Sequence, residues 1–95
     1  MTYRLIYPES YLRRARKFLT KHPEILTQYR KTLELLELDP THPSLRLHRL
    51  QGPLSDLASV SINLKYRIVI EFVVQGQDIL LVNIGKHDQV YGPQR

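Results

Sequence analysis

Two apolar, β-branched runs separated by a short polar break constrain this chain more than any other feature. Tyr66-Arg67-Ile68-Val69-Ile70-Glu71-Phe72-Val73-Val74 leads into Gln75-Gly76-Gln77-Asp78, and Ile79-Leu80-Leu81-Val82-Asn83-Ile84-Gly85-Lys86-His87 follows. Such runs around a glycine-bearing turn specify an antiparallel hairpin. With an odd number of residues in the connection and Gly76 left-handed, Val74 opposes Leu80, Phe72 opposes Val82 and Ile70 opposes Ile84. One face is then wholly apolar. The other carries Arg67, Val69, Glu71 and Val73 opposite His87, Gly85, Asn83 and Leu81. A two-residue turn mixes the faces, so the segregated register is the expected one. Opposed Cβ atoms lie about 4.5–5.5 Å apart, which makes neighbours of Arg67 and His87. A permanent cation beside an imidazole, with Tyr91 shortly after, suits phosphate chemistry.

The totals bound the remainder. Ninety-five residues make one small domain, 1–95. A domain of this size buries only about 60–65% of its unfolded surface. Hydrophobic content of 42% argues against disorder. There is no cysteine, hence no disulfide framework and no thiolate nucleophile, which fits a reducing cytosol. Met1 to Pro8 lacks the apolar run of a signal peptide, and no stretch approaches the ~20 apolar residues of a membrane span. A soluble, cytoplasmic protein without a membrane partner is expected. The net charge of +5 is uneven: residues 1–50 hold ten Lys/Arg against five Asp/Glu, and residues 51–95 hold four of each. That excess predisposes the N-terminal half to a polyanion or an acidic partner. A solvated helix face is the plainer alternative.

Thr2 to Tyr7 reads as a short strand ended by Pro8. Leu12, Ala15 and Leu19, flanked by Tyr11 and Phe18, share one side of a helix over Glu9–Lys21, and Arg13, Arg14, Arg16, Lys17 and Lys21 cover much of the rest. Pro23 and Glu24 suit the start of a second helix. Leu26, Tyr29, Leu33 and Leu36 carry it to about Leu38, where Asp39-Pro40 stops it. Leu45, Leu47 and Leu50 alternate with Arg46, His48 and Arg49 in a short extended segment. Asp56 to Asn63 reads as a strand with Val60 and Ile62 inward, and Leu64-Lys65-Tyr66 as a connection that sets them beside Ile70 and Ile68. Gly92 to Arg95 is a tail. The order predicts an α+β domain: an N-terminal strand, a helical hairpin, then an antiparallel β-meander, with the helices on one face of the sheet.

Chemistry narrows to a few residues. Arg67 is either an arginine that snorkels to solvent or pairs with Glu71 on its own face, or a fixed phosphate contact, a task arginine performs better than lysine. His87 titrates near neutral pH and suits proton transfer. Tyr91 either positions a nucleotide or plugs the tail onto the sheet. His48, between Arg46 and Arg49, is a second candidate proton carrier; a solvent-exposed loop histidine is its plain alternative. His22, His42, His48 and His87 show no HExxH-type spacing, so no metal site and no cofactor are expected. The scattered glycines form no phosphate loop. Ser59 or Ser61 with His87 and Asp56 lacks a nucleophile elbow.

Leu50-Gln51-Gly52, Tyr66-Arg67-Ile68-Val69 and Ile84-Gly85-Lys86-His87-Asp88-Gln89-Val90-Tyr91, taken in order, resemble the RelE/ParE superfamily of bacterial toxin–antitoxin toxins. Element order and length agree over nearly the whole chain. In the RelE-like branch, the resemblance implies a ribosome-dependent, metal-independent ribonuclease that cuts mRNA by attack of a 2′-hydroxyl on the adjacent phosphorus. It also implies roles for particular positions. Arg67 matches the strand arginine that stabilises phosphate, His87 a position holding histidine or arginine, and Tyr91 a C-terminal aromatic. His48 matches a histidine of the YafQ-like branch. Ser59 and Ser61 stand where RelE proper has lysines, which favours a histidine scheme. Arg46, Arg49, Lys65 and Lys86 are the expected RNA contacts. The implied partners are the ribosome with its mRNA and a cognate antitoxin bearing an acidic or amphipathic segment, with DNA reached only through the antitoxin complex. The alternative branch, ParE, uses the same fold to inhibit DNA gyrase without a nuclease site. A member that only binds its antitoxin is a third possibility.

Overall fold

The computed structural model describes residues 2–50, 56–73 and 77–86. Strand β1 (Arg4–Ile6) precedes helix α1 (Glu9–Lys21), a 3-10 turn over Pro23–Ile25 and helix α2 (Leu26–Leu38). A second 3-10 turn, Pro43–Leu45, leads to β2 (His48–Arg49), β3 (Ala58–Ser61), β4 (Tyr66–Val73) and β5 (Asp78–Lys86). The helical hairpin and the antiparallel run of strands are as the sequence predicts. One element adds to that picture: β1 pairs parallel with β5, so the five-stranded sheet is mixed, in the order β1-β5-β4-β3-β2. Arg4 clamps this edge by donating from Nε and Nη2 to the two carboxylate oxygens of Asp78, at 3.2 and 3.0 Å.

The helices lie over one sheet face because both present apolar stripes to it. Tyr11 and Ala15 of α1 and Tyr29 and Leu36 of α2 join Leu5, Val60, Ile68, Ile70, Ile79, Leu81 and Ile84 in one core. Each fully buried Leu or Ile contributes roughly 1.5–3 kcal/mol relative to exposure. Tyr11 and Tyr29 bring hydroxyls into that core and satisfy each other at 2.7 Å. Burial and the neighbouring Tyr29 push the Tyr11 hydroxyl far above the ordinary tyrosine range, so the pair stays neutral. At the C-terminal end of α1, Tyr66 is wedged between Phe18, at 5.0 Å edge to face, and the His22 ring at 4.9 Å. This stack seats the helix over the start of β4.

The hairpin register departs from the alternation argument. Arg67 opposes Gly85, not His87; Ile68 opposes Ile84 and Val69 opposes Asn83. A bulge then leaves Val82 unpaired, so that Ile70 opposes Leu81 and Phe72 opposes Ile79. The cause lies in β5, where Ile79 to Val82 are consecutively apolar and parity cannot choose a face. With the bulge, Ile79, Leu81 and Ile84 all reach the helix side, while Val82 turns to the other side and packs with Val69, Leu50 and Leu57. Local groups settle the irregularity: Asn83 Oδ1 accepts the Ile84 N–H at 2.9 Å, and Arg14 of α1 donates to the Val82 carbonyl at 3.1 Å. The β3–β4 register also differs from expectation, with Val60 opposite Ile68 and Ala58 opposite Ile70. The turn lies one residue earlier than expected, with the Ile62 N–H on the Tyr66 carbonyl at 2.9 Å, and is held by Asn63, whose Oδ1 accepts the N–H groups of Lys65 and Tyr66 at 2.8 and 2.9 Å.

The two registers predict different stability. Leu81 is fully buried whereas Phe72 is 38% exposed. Leu81→Ala should cost about 2–5 kcal/mol in urea unfolding and Phe72→Ala under about 1.5 kcal/mol. The reverse ranking would restore the unbulged hairpin.

Candidate functional site

The sheet face away from the helices has its own small apolar cluster, and beside it sits one permanent charge. Arg67 and Val69 on β4, Ser59 and Ser61 on β3 and His48 on β2 share this face through the ladder pairs Ser61–Arg67, Ser59–Val69 and His48–Ser59. Ser59 is fully buried and Ser61 nearly so. A hydroxyl in such a place needs a partner. Ser61 Oγ donates to the Asn63 carbonyl at 2.6 Å, and Ser59 Oγ accepts from Arg67 Nε at 2.9 Å.

Arg67 is held by more than Ser59. Its Nη2 donates to the Arg46 carbonyl at 2.9 Å, lies 3.3 Å from His48 Nδ1 and reaches the Ser59 carbonyl at 3.4 Å. A guanidinium has only donors, so His48 Nδ1 takes the acceptor role and the proton of the neutral ring sits on Nε2. Nη1 makes no hydrogen bond among the described residues. The arrangement can fix a guanidinium at a chosen angle, present Nη1 to an anion and set an imidazole next to it.

The sequence-derived candidates are distributed as follows. Arg67 and His48 are brought together. Arg67 and Glu71 make no ion pair among the described residues, which removes the structural pairing as Arg67's explanation. His87 and Tyr91 lie outside the described residues; the pairing of Arg67 with Gly85 replaces the direct opposition of Arg67 and His87. Arg46 is exposed just before β2 and Arg49 is exposed on it, with Arg49 opposite Ala58. Lys65 is exposed in the β3–β4 turn, and Lys86 ends β5 opposite Tyr66.

Of the clefts that adjoin these groups, two bear on the charged candidates Arg49 and Lys86. One of about 520 Å³ is lined by His48, Arg49, Asp56, Leu57, Glu71 and Phe72, with Leu47 and Ala58. The other, about 350 Å³, lies between α1 and β5, and its charged walls are Arg14, Lys17, Lys21 and Lys86, with His22. Among the described residues no carboxylate lines it. Among the described residues no cluster of His, Asp and Glu could hold a metal ion, and no helix is long and apolar enough to cross a membrane.

Sequence reasoning missed two groups, Ser59 as the anchor of Arg67 and the carbonyl of Arg46. The first is signalled by serines replacing apolar residues at alternate positions of a buried strand. For the second the sequence carries no signal.

The fold is the one seen in small toxins of toxin–antitoxin pairs, as the RelE/ParE resemblance leads one to expect of the architecture. YafQ from E. coli strain BL21(DE3) superposes with a TM-score of 0.76 at 12% identity, over 95% of this chain and 99% of that one. The YoeB/ParE toxin from Agrobacterium tumefaciens gives 0.70 at 15% identity, over 90% and 99%. A chain of the E. coli DinJ–YafQ toxin–antitoxin complex gives 0.75 at 14% identity, over 97% and 100%. No family model and no curated protein sequence matches the chain.

The Arg67–His48 contact predicts a tautomer. Long-range ¹⁵N spectra at pH 8 should show His48 as the neutral ring protonated on Nε2, and Arg67→Ala should abolish that bias. An Nδ1-protonated ring in the wild type would contradict the contact.

Proposed function

We propose that this protein is the toxin of a toxin–antitoxin pair and acts as a ribosome-dependent endoribonuclease on mRNA. The observation that supports this reading best is the pair formed by Arg67 and His48 on the open sheet face, within a fold shared by toxins of this kind. A phosphate docks on Nη1 of Arg67, and the arriving 2′-hydroxyl displaces the long 3.3 Å Nη2 contact from His48 Nδ1, freeing its lone pair. That lone pair then accepts the proton of the 2′-hydroxyl as its oxygen attacks phosphorus. The O2′–P bond forms and the P–O5′ bond breaks, leaving a 2′,3′-cyclic phosphate and a 5′-hydroxyl. Arg67 stabilises the added negative charge on the phosphoryl oxygens. Protonated His87 supplies the proton for the leaving O5′, and Tyr91 positions the nucleotide; both assignments rest on the sequence.

No step in this scheme calls for a metal or a cofactor. Phe72, partly exposed in the 520 Å³ cleft beside His48, offers a base a stacking surface. Arg49, Lys65 and the basic α1–β5 cleft with Lys86 supply sequence-independent attraction to RNA phosphates. The same positive surface suits an acidic antitoxin segment that folds on binding.

The experiment is induction of the chain in a bacterium with mapping of transcript ends, alongside cleavage on purified ribosomes. Transcripts should be cut within translated frames, and Arg67→Ala or His87→Ala should each lower cleavage by about 10²-fold or more. Intact transcripts with gyrase inhibition and DNA damage would transfer the protein to the ParE-like alternative. Neither effect would leave antitoxin binding alone.

Association with ribosomes should also weaken steeply with salt. Removing Lys17 and Lys21 together should reduce the slope of log K against log[salt] by about 1–2. An unchanged slope would exclude the α1–β5 cleft from the contact.

A further inference from the structure

We infer that Arg46 is a positioning residue that acts through its backbone: a left-handed turn aims its carbonyl at Arg67 and thereby decides which edge of the guanidinium faces a phosphate. Arg46 follows the 3-10 turn Pro43–Leu45 with φ 49° and ψ 49°. Among the described residues it alone combines a side chain with positive φ. The conformation is disfavoured for a residue with a Cβ and has to be imposed from outside. Its neighbours impose it. Leu45 is buried and Leu47 packs against the same core, which pins the chain on both sides of position 46. Before them, His42 Nδ1 accepts from Ser44 N at 3.2 Å and lies 2.8 Å from Ser44 Oγ, which fixes the start of the turn. The Arg46 N–H closes the turn on the Pro43 carbonyl at 3.2 Å.

The left-handed step leaves the Arg46 carbonyl 2.9 Å from Arg67 Nη2, while Ser59 Oγ takes Nε at the same distance. Two acceptors on two elements thus hold the Nε/Nη2 edge, and Nη1 is the end that remains for an anion. A right-handed or extended residue at position 46 would carry the carbonyl away, release Nη2 and let the guanidinium rotate. This role differs from the RNA contact expected of the Arg46 side chain. Its effect on cleavage rests on the ribonuclease reading; the positioning itself does not.

The test uses the full chain with Arg46→Asn, Arg46→Gly and Arg46→Val. All three remove the Arg46 guanidinium. Asn and Gly accept the left-handed region, whereas a β-branched residue resists it. The Arg67 Nε–Hε resonance, assigned with Arg67→Lys, reports the anchoring through its exchange with water. Exchange should stay slow in the wild type and in the Asn and Gly variants, and quicken about tenfold or more in Arg46→Val. In ribosomal cleavage, Arg46→Asn should exceed Arg46→Val by about tenfold or more. Slow exchange in Arg46→Val, or equal loss in all three variants, would overturn the inference, the latter assigning the role to the side chain. Should Arg46→Val fail to fold, Arg46→Ala takes its place in the same comparison. A wild type that cleaves no RNA would sink the ribonuclease reading while the exchange measurement still decides the positioning.

Discussion

A strand sealed on both sides cannot carry an unmet charge, and that constraint organises this molecule. On the helix side of β4, Ile68 and Ile70 are fully buried; on the other, Val69 packs with Leu50, Leu57 and Val82. Arg67 lies on the same strand, half-buried, and its inward Nε and Nη2 donors are costly if left without acceptors. The protein meets them with a hydroxyl from β3, a carbonyl from the loop before β2 and an imidazole from β2. Arg46 and His48 lie two residues apart, and Ser59 comes from the next strand. Their convergence is what turns a sheet face into a site.

Much of the scaffold was legible because it follows from short-range rules. The bounds of α1 were readable from Pro8 and Pro23 and from the spacing of Leu12, Ala15 and Leu19, and the end of α2 from Asp39-Pro40, whereas Pro23–Ile25, read as its first turn, is a 3-10 turn of its own. The strands were readable as elements, but their registers were not. Alternation fixes a register only where polar and apolar residues take turns, and Ile79 to Val82 do not. The bulge at Val82 resolves the ambiguity by burial on both faces, which is a property of the whole fold. The parallel place of β1 beside β5 has no local signature at all.

The site divides along the same line. Arg67 and His48 were legible from residue type and from the family resemblance. Their contact was not, because it runs through β2, a strand of two residues whose place depends on β3. Arg46 looked like a charge for RNA, since nothing about an arginine announces a left-handed backbone. Ser59 stood out as a departure from the lysine pattern, without revealing that it would anchor the guanidinium. With identities of 12 to 15% to the YafQ and YoeB/ParE structures described above, the scaffold is common ground and the chemistry has to be argued from these side chains.

The shortness of β2 has a consequence for how the molecule protects itself. A two-residue border offers few free backbone groups to a neighbouring chain, so it shields β3 from intermolecular zippering. Among the described residues the His48–Ser59 and Arg49–Ala58 rungs and the bond from the Leu50 N–H to the Leu57 carbonyl stitch that border on, reinforced by the guanidinium. Loss of Arg67 would therefore unfasten the selvedge of the sheet as well as empty the site. A chain with no chemistry at this face would still be pressed to keep the arginine, or to find another way of hemming that margin.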